Sequence, residues 1–568
     1  MSRVGDAFAA LEVAQRPEVF LFVRDREVVE AEAASAQGPL AGLLLAVKNN
    51  VDVAGTPTTA ACPTFADGPA DADAQAVARL RAAGATVLGS TNLDQFATGL
   101  VGQRSPHGGV RDARRPSYVS GGSSSGSAVS VALGLADVAI GTDTAGSGRV
   151  PAMFQGLVGI KPTLGVAAVE GVLPACRSWD AVTIFARDLD TAATAMGAMA
   201  GGPGTRAWPS DVRLAAPTRP RVAVPETLVR MEPAWVAAFD DAIARLEAGG
   251  ADVVKVPFQD FLDAALLLYD GALVAERHGA VGDFVDAHLD DCDPTVGGIV
   301  SRAGEVSGSA YVRDTARLEE LRARAMGLVE GCDVLVVPTA PGHPTQAALA
   351  AAPVAVNSWV GTYTNFANLF DLCGVAVPTG TVVEEDGSVA QTGVTVLGRA
   401  FEDAVALDVA RRMAVLPPSV ALPGAAPALP DPGPWPLLAG AEATRLLVVG
   451  AHLPGQPLAH ELEALGARWV GPATTAASYR LLALDTTPPK PGLVREAEGG
   501  AAIEGGLWEL SPAALGRFLA ALPAPMSLGS VELADGSCVT GFGVAADAAA
   551  AGKDITSFGG WPAYLAAR

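Results

Sequence analysis

The sequence predicts an α/β protein whose sheet is covered by helices on both faces, followed by a second, smaller domain. Between residues 40 and 413, short apolar runs alternate with longer amphipathic ones. Beyond them lies a proline-dense stretch, after which the apolar pattern begins again. Strands alternating with helices are typical of a sheet buried on both faces. A chain of 568 residues is long enough for more than one domain.

Four short apolar runs in the first part of the chain predict buried strands. They cover residues 46–47, 86–89, 138–141 and 333–338. Between the first two runs, the segment 73–83 carries Val77 and Leu80 three residues apart. This spacing predicts the helix that connects the two strands.

The proline-dense stretch divides the chain. Eight prolines lie between residues 416 and 437, and prolines at this density block both helix and sheet, so the stretch is expected to be a semi-rigid linker. We therefore predict a first domain over residues 1–416, a linker over 417–440 and a second domain over 441–568. The second domain has a normal size for one independent core.

The composition excludes several classes of partner. Lys and Arg number 39 against 61 Asp and Glu, a net charge of -22, which repels nucleic acid and anionic lipid. No apolar run is long enough to span a bilayer, and the first 20 residues lack the apolar core of a signal peptide. The six cysteines show no C-x-x-C spacing, which favours reduced thiols and no metal site. We expect a cytoplasmic protein.

Two loops of small residues are candidate functional loops because each contains a serine. Residues 121–126 read Gly-Gly-Ser-Ser-Ser-Gly and precede a helical run over 127–135. Residues 141–149 read Gly-Thr-Asp-Thr-Ala-Gly-Ser-Gly-Arg and follow an apolar run. Such loops let backbone amides approach a ligand closely. Taken alone, either could be a plain flexible loop; neither has the pattern of a phosphate-binding loop or of the G-x-S-x-G hydrolase elbow.

Together the two loops resemble the amidase signature family. The matching segments are 121–128 and 142–151. Ser123 and Ser147 lie 24 positions apart in this sequence, as the two active serines of that family do. The resemblance extends over about residues 40–378 and implies a mixed central sheet covered by helices, with no cofactor and no metal.

The resemblance also supplies a lysine. Lys48, in Leu-Ala-Val-Lys-Asn-Asn, matches the lysine segment of the family, with Asn49 where Asp is commoner. It follows a run of apolar residues, and burial would lower the pKa of its amine so that it could act as a base. The resemblance also implies that Asp143 and Arg149 have a structural role and hold the second loop in place.

The resemblance implies a role for each group. Ser147 is the nucleophile, Ser123 follows an unusual cis peptide and bridges the proton, and Lys48 is the general base. A serine hydroxyl can both accept and donate a proton, which the bridging role requires. The expected oxyanion hole consists of the backbone amides of Thr144, Ala145 and Gly146.

Further segments resemble allophanate hydrolases within that family. They lie at 97–102, 104–106 and 269–277. In those enzymes a Tyr and an Arg eight positions apart hold the substrate carboxylate, and Tyr269 and Arg277 have this spacing. The resemblance implies that Gly99, Tyr269 and Arg277 bind substrate; the planar guanidinium fork matches a carboxylate. The alternative is that Glu276 and Arg277 form a solvated helix face.

The end of the chain, from Leu446 onward, resembles the extra domain of allophanate hydrolases, which is similar to the α+β fold of gamma-glutamylcyclotransferase. In that context His452 is a candidate acid/base for a decarboxylation, because histidine titrates near neutral pH. Two alternatives stay open: His452 is an ordinary loop residue, or the domain organises oligomers and the product decarboxylates unaided.

The sequence therefore predicts an amidohydrolase that cleaves the terminal amide of allophanate (urea-1-carboxylate) and releases ammonia and carbon dioxide without a cofactor. The expected partners are this small anion and further copies of the chain, in a homodimer or a larger homo-oligomer. The alternatives are an amidase for another small carboxylated urea or amide, and the glutaminase component of an RNA-dependent amidotransferase.

Overall fold

The computed structural model describes residues 2–417, 426 and 428–568. These residues form two compact units: Met1–Ala207 with Pro220–Ala439, and Trp208–Arg219 with Gly440–Arg568. The segment Trp208–Arg219 falls in the predicted first domain but belongs to the second compact unit. Of the predicted linker, residues 418–425 and 427 lie outside the described residues, and the rest up to Ala439 belongs to the first unit.

The first unit is built on one mixed sheet of 11 strands. Its strands, in chain order, are Phe20–Val23 (β1), Leu44–Lys48 (β2), Thr86–Thr91 (β3), Val138–Asp143 (β4), Val158–Lys161 (β5), Ala181–Ala186 (β6), Arg221–Pro225 (β7), Asp252–Val256 (β8), Val334–Pro338 (β9), Cys373–Val383 (β10) and Val389–Gly398 (β11). They lie side by side in the order β1-β3-β2-β4-β6-β5-β10-β11-β9-β7-β8. The predicted α/β fold with a mixed central sheet is confirmed.

Helices flank this sheet. They are Arg3–Ala14 (α1), Arg26–Ser35 (α2), Gln75–Ala82 (α3), Ser125–Ala132 (α4), Val150–Phe154 (α5), Leu189–Met199 (α6), Pro233–Ala248 (α7), Gln259–Leu267 (α8), Ala275–Ala287 (α9), Pro294–Ala303 (α10), Gly308–Leu328 (α11), Gln346–Ala351 (α12), Pro353–Val360 (α13), Asn365–Leu369 (α14), Asp403–Met413 (α15) and Trp435–Leu438 (α16). The predicted helix at 127–135 begins earlier, at Ser125, and ends sooner because Gly134 adopts a left-handed conformation with φ 72°.

The strands β2 and β4 set up the site. Every residue of both strands is buried, which explains why their sequences read as continuous apolar runs. They pair in parallel, with Ala46 opposite Ala139. Parallel neighbours end at the same edge of a sheet, so Lys48 at the end of β2 and Asp143 at the end of β4 lie at one edge.

The second unit contains two small sheets and four helices. The strands are Thr444–Val448 (β12), Arg468–Thr474 (β13), Tyr479–Leu484 (β14), Lys490–Arg495 (β15), Glu504–Leu510 (β16), Met526–Glu532 (β17), Cys538–Val544 (β18) and Lys553–Asp554 (β19); the helices are Ala459–Ala464 (α17), Pro512–Ala521 (α18), Ala546–Ala551 (α19) and Trp561–Ala566 (α20). One sheet has the order β13-β16-β12-β18-β17 and the other β15-β14-β19. The likeness to gamma-glutamylcyclotransferase stays a prediction.

The segment Trp208–Arg219 is hydrogen-bonded to the rest of its unit. The Leu214 N–H donates to the Gly466 carbonyl at 2.8 Å, and the Thr218 hydroxyl donates to Glu463 at 2.7 Å. Within the described residues, none of the helices combines the length and the apolarity that crossing a bilayer requires.

Candidate active site

Two serines and a lysine form a continuous line of hydrogen bonds inside the first unit. Lys48 is fully buried, and its Nζ donates to Ser123 Oγ at 2.8 Å. Ser123 Oγ in turn lies 3.0 Å from Ser147 Oγ. The structure thus brings together the three residues that the sequence proposed as a triad. Lys48 has a second hydroxyl partner that the sequence analysis did not predict: its Nζ also donates to Thr142 Oγ1 at 2.7 Å.

The loop that carries Ser123 is tightly packed. The peptide bond between Gly122 and Ser123 is cis, as the resemblance implied. A Cβ atom on Gly122 would overlap the Asp94 carboxylate, so only glycine fits there. The preceding Gly121 has φ 78°, a left-handed conformation that also favours glycine.

Burial changes the protonation of Lys48. Removal from water lowers the pKa of its amine from 10.5 to about 7, while the carboxylates of Asp94, Asp180 and Asp143 oppose this change. A substantial fraction of Lys48 is therefore neutral at neutral pH. Only the neutral amine can accept a proton, so the site meets the requirement for a lysine base.

A buried ion pair shapes the loop that carries Ser147. Arg149 donates to both carboxylate oxygens of Asp143 at 2.9 Å, and both side chains are fully buried. The same carboxylate accepts the N–H groups of Gly146 and Gly148, each at 2.9 Å. Although burial opposes ionisation, Arg149 holds the pKa of Asp143 below its ordinary value. The Asp143 carboxylate therefore accepts hydrogen bonds from three residues of this loop and fixes its conformation.

One of the three amides predicted to form the oxyanion hole has a hydrogen-bond partner within the loop. This is the Gly146 amide, which is engaged by Asp143. The amides of Thr144 and Ala145 donate to no other group in the part of the chain that the structure describes. The Thr144 hydroxyl bonds to Asp180, which also accepts the Ala175 N–H at 2.8 Å. Asp180 therefore fixes the position of Thr144, and the available donors are Thr144 and Ala145.

Arg277 does not lie on a solvated helix face. It is 1% exposed on α9, and its Nη2 donates to the Tyr269 hydroxyl at 2.8 Å while its guanidinium lies 4.7 Å from the centre of that ring. Its Nη1 donates to Thr98 Oγ1 at 2.9 Å. The buried Nε has no hydrogen-bond partner among the described residues. A buried guanidinium with a free donor is ready to bind an anion.

One loop connects the guanidinium to the serines. Thr98 contacts Arg277, and the carbonyl of the next residue, Gly99, lies 3.5 Å from Ser147 Oγ. The preceding Phe96 and Ala97 have φ of 50° and 53°, strained values for residues other than glycine. The predicted substrate-binding residues are thus linked to Ser147 by hydrogen bonds through Thr98 and Gly99.

The sequence analysis assigned no role to three residues of the site, Asp94, Thr142 and Asp180. Two of them lie in segments that belong to the amidase resemblance, and the third does not. Asp94 follows Thr91-Asn92-Leu93, a segment that belongs to the amidase resemblance, and Thr142 lies inside the second loop. Asp180 stands in no recognised pattern. Its contacts with Thr144 and Cys176 become visible only once the chain is folded.

His452 lies in the second unit, on a cavity wall that it shares with Lys490. Its Nε2 lies 3.0 Å from a Glu461 oxygen, and its ring stacks on Phe542. Burial lowers the pKa of the imidazole below 6.5 despite the Glu461 carboxylate. The residue is therefore held in place and mostly neutral at neutral pH. No group of His, Cys, Asp and Glu side chains suited to a metal ion occurs among the described residues.

Family comparisons cover nearly the whole chain. Residues 23–407 match the family model described as Amidase, and residues 444–566 match the one described as Allophanate hydrolase C-terminal domain. The urea amidolyase of Lachancea kluyveri is 38% identical over 95% of this chain, which corresponds to 30% of that relative. The chain therefore spans about a third of the length of that curated relative.

Two further comparisons bear on the alternatives. The structure of Kluyveromyces lactis allophanate hydrolase superposes with a TM-score of 0.87 and 34% identity, covering 100% of this chain and 97% of that one. A glutamyl-tRNA(Gln) amidotransferase polypeptide of Thermus thermophilus is 33% identical over 64% of this chain and 83% of its own. The first similarity includes both units, whereas the second covers only part of the chain.

Proposed function

The chain is an enzyme of the amidase family, and from this premise we propose that it hydrolyses the terminal amide of allophanate and releases ammonia. The observation that carries the proposal is the buried Arg277–Tyr269 pair, which is linked to Ser147 through Thr98 and Gly99 and can hold a substrate carboxylate. The likeness of both units to an allophanate hydrolase supports it. The alternative substrate is another small carboxylated urea or amide.

In the first step Ser147 Oγ attacks the amide carbonyl. Its proton passes to Ser123 Oγ while Ser123 gives its own proton to neutral Lys48, a path that follows the hydrogen bonds of 3.0 and 2.8 Å. The carbonyl oxygen becomes an anion bound by the amides of Thr144 and Ala145. Each such donor lowers the barrier by about 3 kcal/mol.

Collapse of this intermediate breaks the carbon–nitrogen bond. The leaving nitrogen takes a proton from protonated Lys48 through Ser123 and departs as ammonia, leaving an ester on Ser147. Water then attacks the ester, with Lys48 again receiving the proton through Ser123. The bond between the acyl carbon and Ser147 Oγ then breaks, and this oxygen takes the proton back from Lys48 through Ser123. The product of this step is a dicarboxylated amine.

Arg277 explains why an acidic protein can bind an anion. The net charge of -22 repels small anions over most of the surface. Inside the site, the guanidinium presents its unpartnered Nε, and the Tyr269 hydroxyl adds a donor. A substrate carboxylate that accepts from both would be oriented with its amide toward Ser147.

The proposal is tested by ammonia release from purified protein that is offered allophanate, glutamine and simple neutral amides. We expect turnover of allophanate to exceed that of the others. Equal or better turnover of glutamine would favour the glutaminase alternative. Preference for a different carboxylated amide would agree with carboxylate binding by Arg277 and Tyr269 but would change the substrate.

We expect Arg277→Lys to raise the KM for allophanate by about tenfold to a hundredfold, because an ammonium cannot keep the planar arrangement that contacts Thr98 and Tyr269 while a further N–H faces the carboxylate. The measurement is steady-state ammonia release by the variant and the wild type. Turnover of a neutral amide is the control, because it does not use the carboxylate contact. An equal loss of activity on allophanate and on the neutral amide would contradict the proposed binding of the substrate carboxylate by Arg277.

For the second unit we propose that His452 assists loss of carbon dioxide from the dicarboxylated amine, since it shares its cavity with the cationic Lys490. We expect His452→Ala to leave ammonia release near the wild-type rate while carbon dioxide appears later. His460→Ala, at an exposed position of the same unit, is the matched control. If carbon dioxide keeps pace with ammonia in His452→Ala, His452 is an ordinary loop residue of the unit.

We further propose that the protein acts in the cytoplasm as a homodimer or larger homo-oligomer. Five cysteines are buried and unpaired, as expected for a reducing compartment. Light scattering of the purified full chain tests the oligomeric state; a mass of one chain would overturn it.

A further inference from the structure

Asp94 is a fully buried carboxylate next to the proposed triad. Its Oδ2 accepts the N–H groups of Val101 and Gly102 at 3.2 and 3.0 Å, and its Oδ1 accepts the Arg104 N–H at 2.9 Å. The Asp94 side chain thus fixes the conformation of the backbone that follows Gly99. No Arg or Lys side chain forms an ion pair with it in the part of the chain that the structure describes.

The same carboxylate touches both loops that surround Ser147. A Cβ atom on either Gly99 or Gly122 would overlap Asp94 Oδ2, so both backbones press against it. Its own N–H donates to the Ser123 carbonyl at 3.1 Å. Any displacement of Asp94 would therefore move the Gly99 carbonyl, which lies 3.5 Å from Ser147 Oγ, together with the bridging serine.

Asp94 is also an electrostatic partner of Lys48. The charged groups with the largest influence on this amine are Asp94 beyond β3, Asp143 at the end of β4, Asp180 before β6 and Arg277 on α9. Asp143 is paired with Arg149, and Asp180 is itself influenced by Arg277. Asp94 raises the pKa of Lys48 more than the other two carboxylates do.

We propose that Asp94 is a positioning residue with two separable effects: its shape holds the Gly99 and Ser123 loops in register, and its negative charge balances the proton that Lys48 carries, within each half-reaction, from the attack on the carbonyl to the departure of the leaving group. This inference rests on the proposed function, in which Lys48 accepts and returns a proton. Without a nearby anion, a protonated lysine in a dry site would be costly to form. With Asp94 in place, the lysine can both take the proton and give it back.

The test uses Asp94→Asn, which keeps the size of the side chain and removes both the charge and one of the two acceptor oxygens. Because the chain has few lysines, their amines can be followed individually by NMR of protein labelled with nitrogen-15 in lysine. They are Lys48, Lys161, Lys255, Lys490 and Lys553. We expect the pKa of Lys48 to fall from about 7 by about one unit. We also expect kcat to fall about tenfold to a hundredfold, because an amide cannot accept from all three backbone donors.

Asp112→Asn is the matched control. Asp112 is also a buried carboxylate that accepts backbone N–H groups, those of Arg114 and Arg115, and it is not one of the charged groups with the largest influence on Lys48. We expect it to leave the pKa of Lys48 unchanged. A Lys48 that titrates identically in wild type and Asp94→Asn would overturn the inference.

Two further outcomes keep this result separate from the proposed function. If Asp94→Asn does not fold, Asp94→Glu retains the charge but crowds Gly122; it should hold the pKa of Lys48 near the wild-type value while lowering kcat, and an unchanged kcat would contradict the positioning effect. The NMR titration does not depend on turnover. A wild type inactive on every amide would therefore refute the proposed function while leaving the influence of Asp94 on Lys48 measurable.

Discussion

Ser147→Ala and Ser123→Ala are each expected to abolish nearly all ammonia release, with losses on the order of 10⁴- to 10⁶-fold in kcat. Ser147 supplies the attacking oxygen, and Ser123 is the hydroxyl that joins it to Lys48, 3.0 Å from the first and 2.8 Å from the second. Removal of either breaks the proton path. The double variant should therefore be little worse than either single variant.

The measurement is single-turnover and steady-state ammonia release by the four proteins of this double-mutant cycle. Ser130→Ala is a suitable control, because Ser130 is a buried serine on the helix after the first loop and its hydroxyl donates to the Ser127 carbonyl at 2.8 Å. It should retain turnover near the wild-type rate. Losses that add in the double variant would mean that the two serines act independently, contrary to the shared path.

The reacting groups could be located from the sequence because they lie in continuous motifs. Lys48 ends an apolar run that becomes β2, and Ser123 and Ser147 lie in two short loops of small residues. The parallel pairing of β2 with β4 brings the lysine and the second loop to the same edge. Local pattern and the amidase resemblance were therefore sufficient for these residues.

The remaining features depend on contacts between distant parts of the chain. Arg277 bonds to Thr98 across 179 positions, and no periodicity links the two residues. A small-residue loop does not reveal which amide its own carboxylate will take, so the engagement of Gly146 by Asp143 could not be foreseen. The association of Trp208–Arg219 with the second unit is likewise a tertiary effect.

The order of the strands in the sheet also could not be predicted from the sequence. The alternation of apolar and amphipathic runs indicated an α/β fold, yet β5 pairs with β10, with Ile160 opposite Val375. Neither this pairing nor the antiparallel hairpin of β10 and β11 follows from the spacing of apolar residues. Hydrophobic pattern determines what is buried, whereas packing of the complete sheet decides which strands are neighbours.

Lys48→Met is expected to remove most of the rate and yet to stabilise the folded protein. In the wild type, activity should rise with pH through about 7, because the neutral amine is the base and its pKa lies there. Methionine has a similar length but accepts no proton. The variant should therefore lose both the rate and this pH-dependent rise, and a variant with the wild-type rate would overturn the mechanism.

The stability effect follows from the same pKa. A lysine whose pKa falls from 10.5 in the unfolded chain to about 7 in the folded protein costs about 5 kcal/mol of folding free energy. The unfolded chain binds more protons between these values, so the cost is complete below pH 7 and shrinks as the pH rises toward 10.5. Since methionine avoids it, we expect Lys48→Met to raise the free energy of unfolding by about 2–4 kcal/mol near pH 7.

Denaturant unfolding of both proteins between pH 6 and pH 10 measures this difference. The advantage of Lys48→Met should narrow as the pH rises, because deprotonation removes the cost from the wild type. Lys255→Met, at an exposed position of β8, is the control and should show no such trend. A difference that stays constant with pH would mean that Lys48 does not change its protonation on folding. The active site would then hold a charged lysine, which could not take the proton from Ser123.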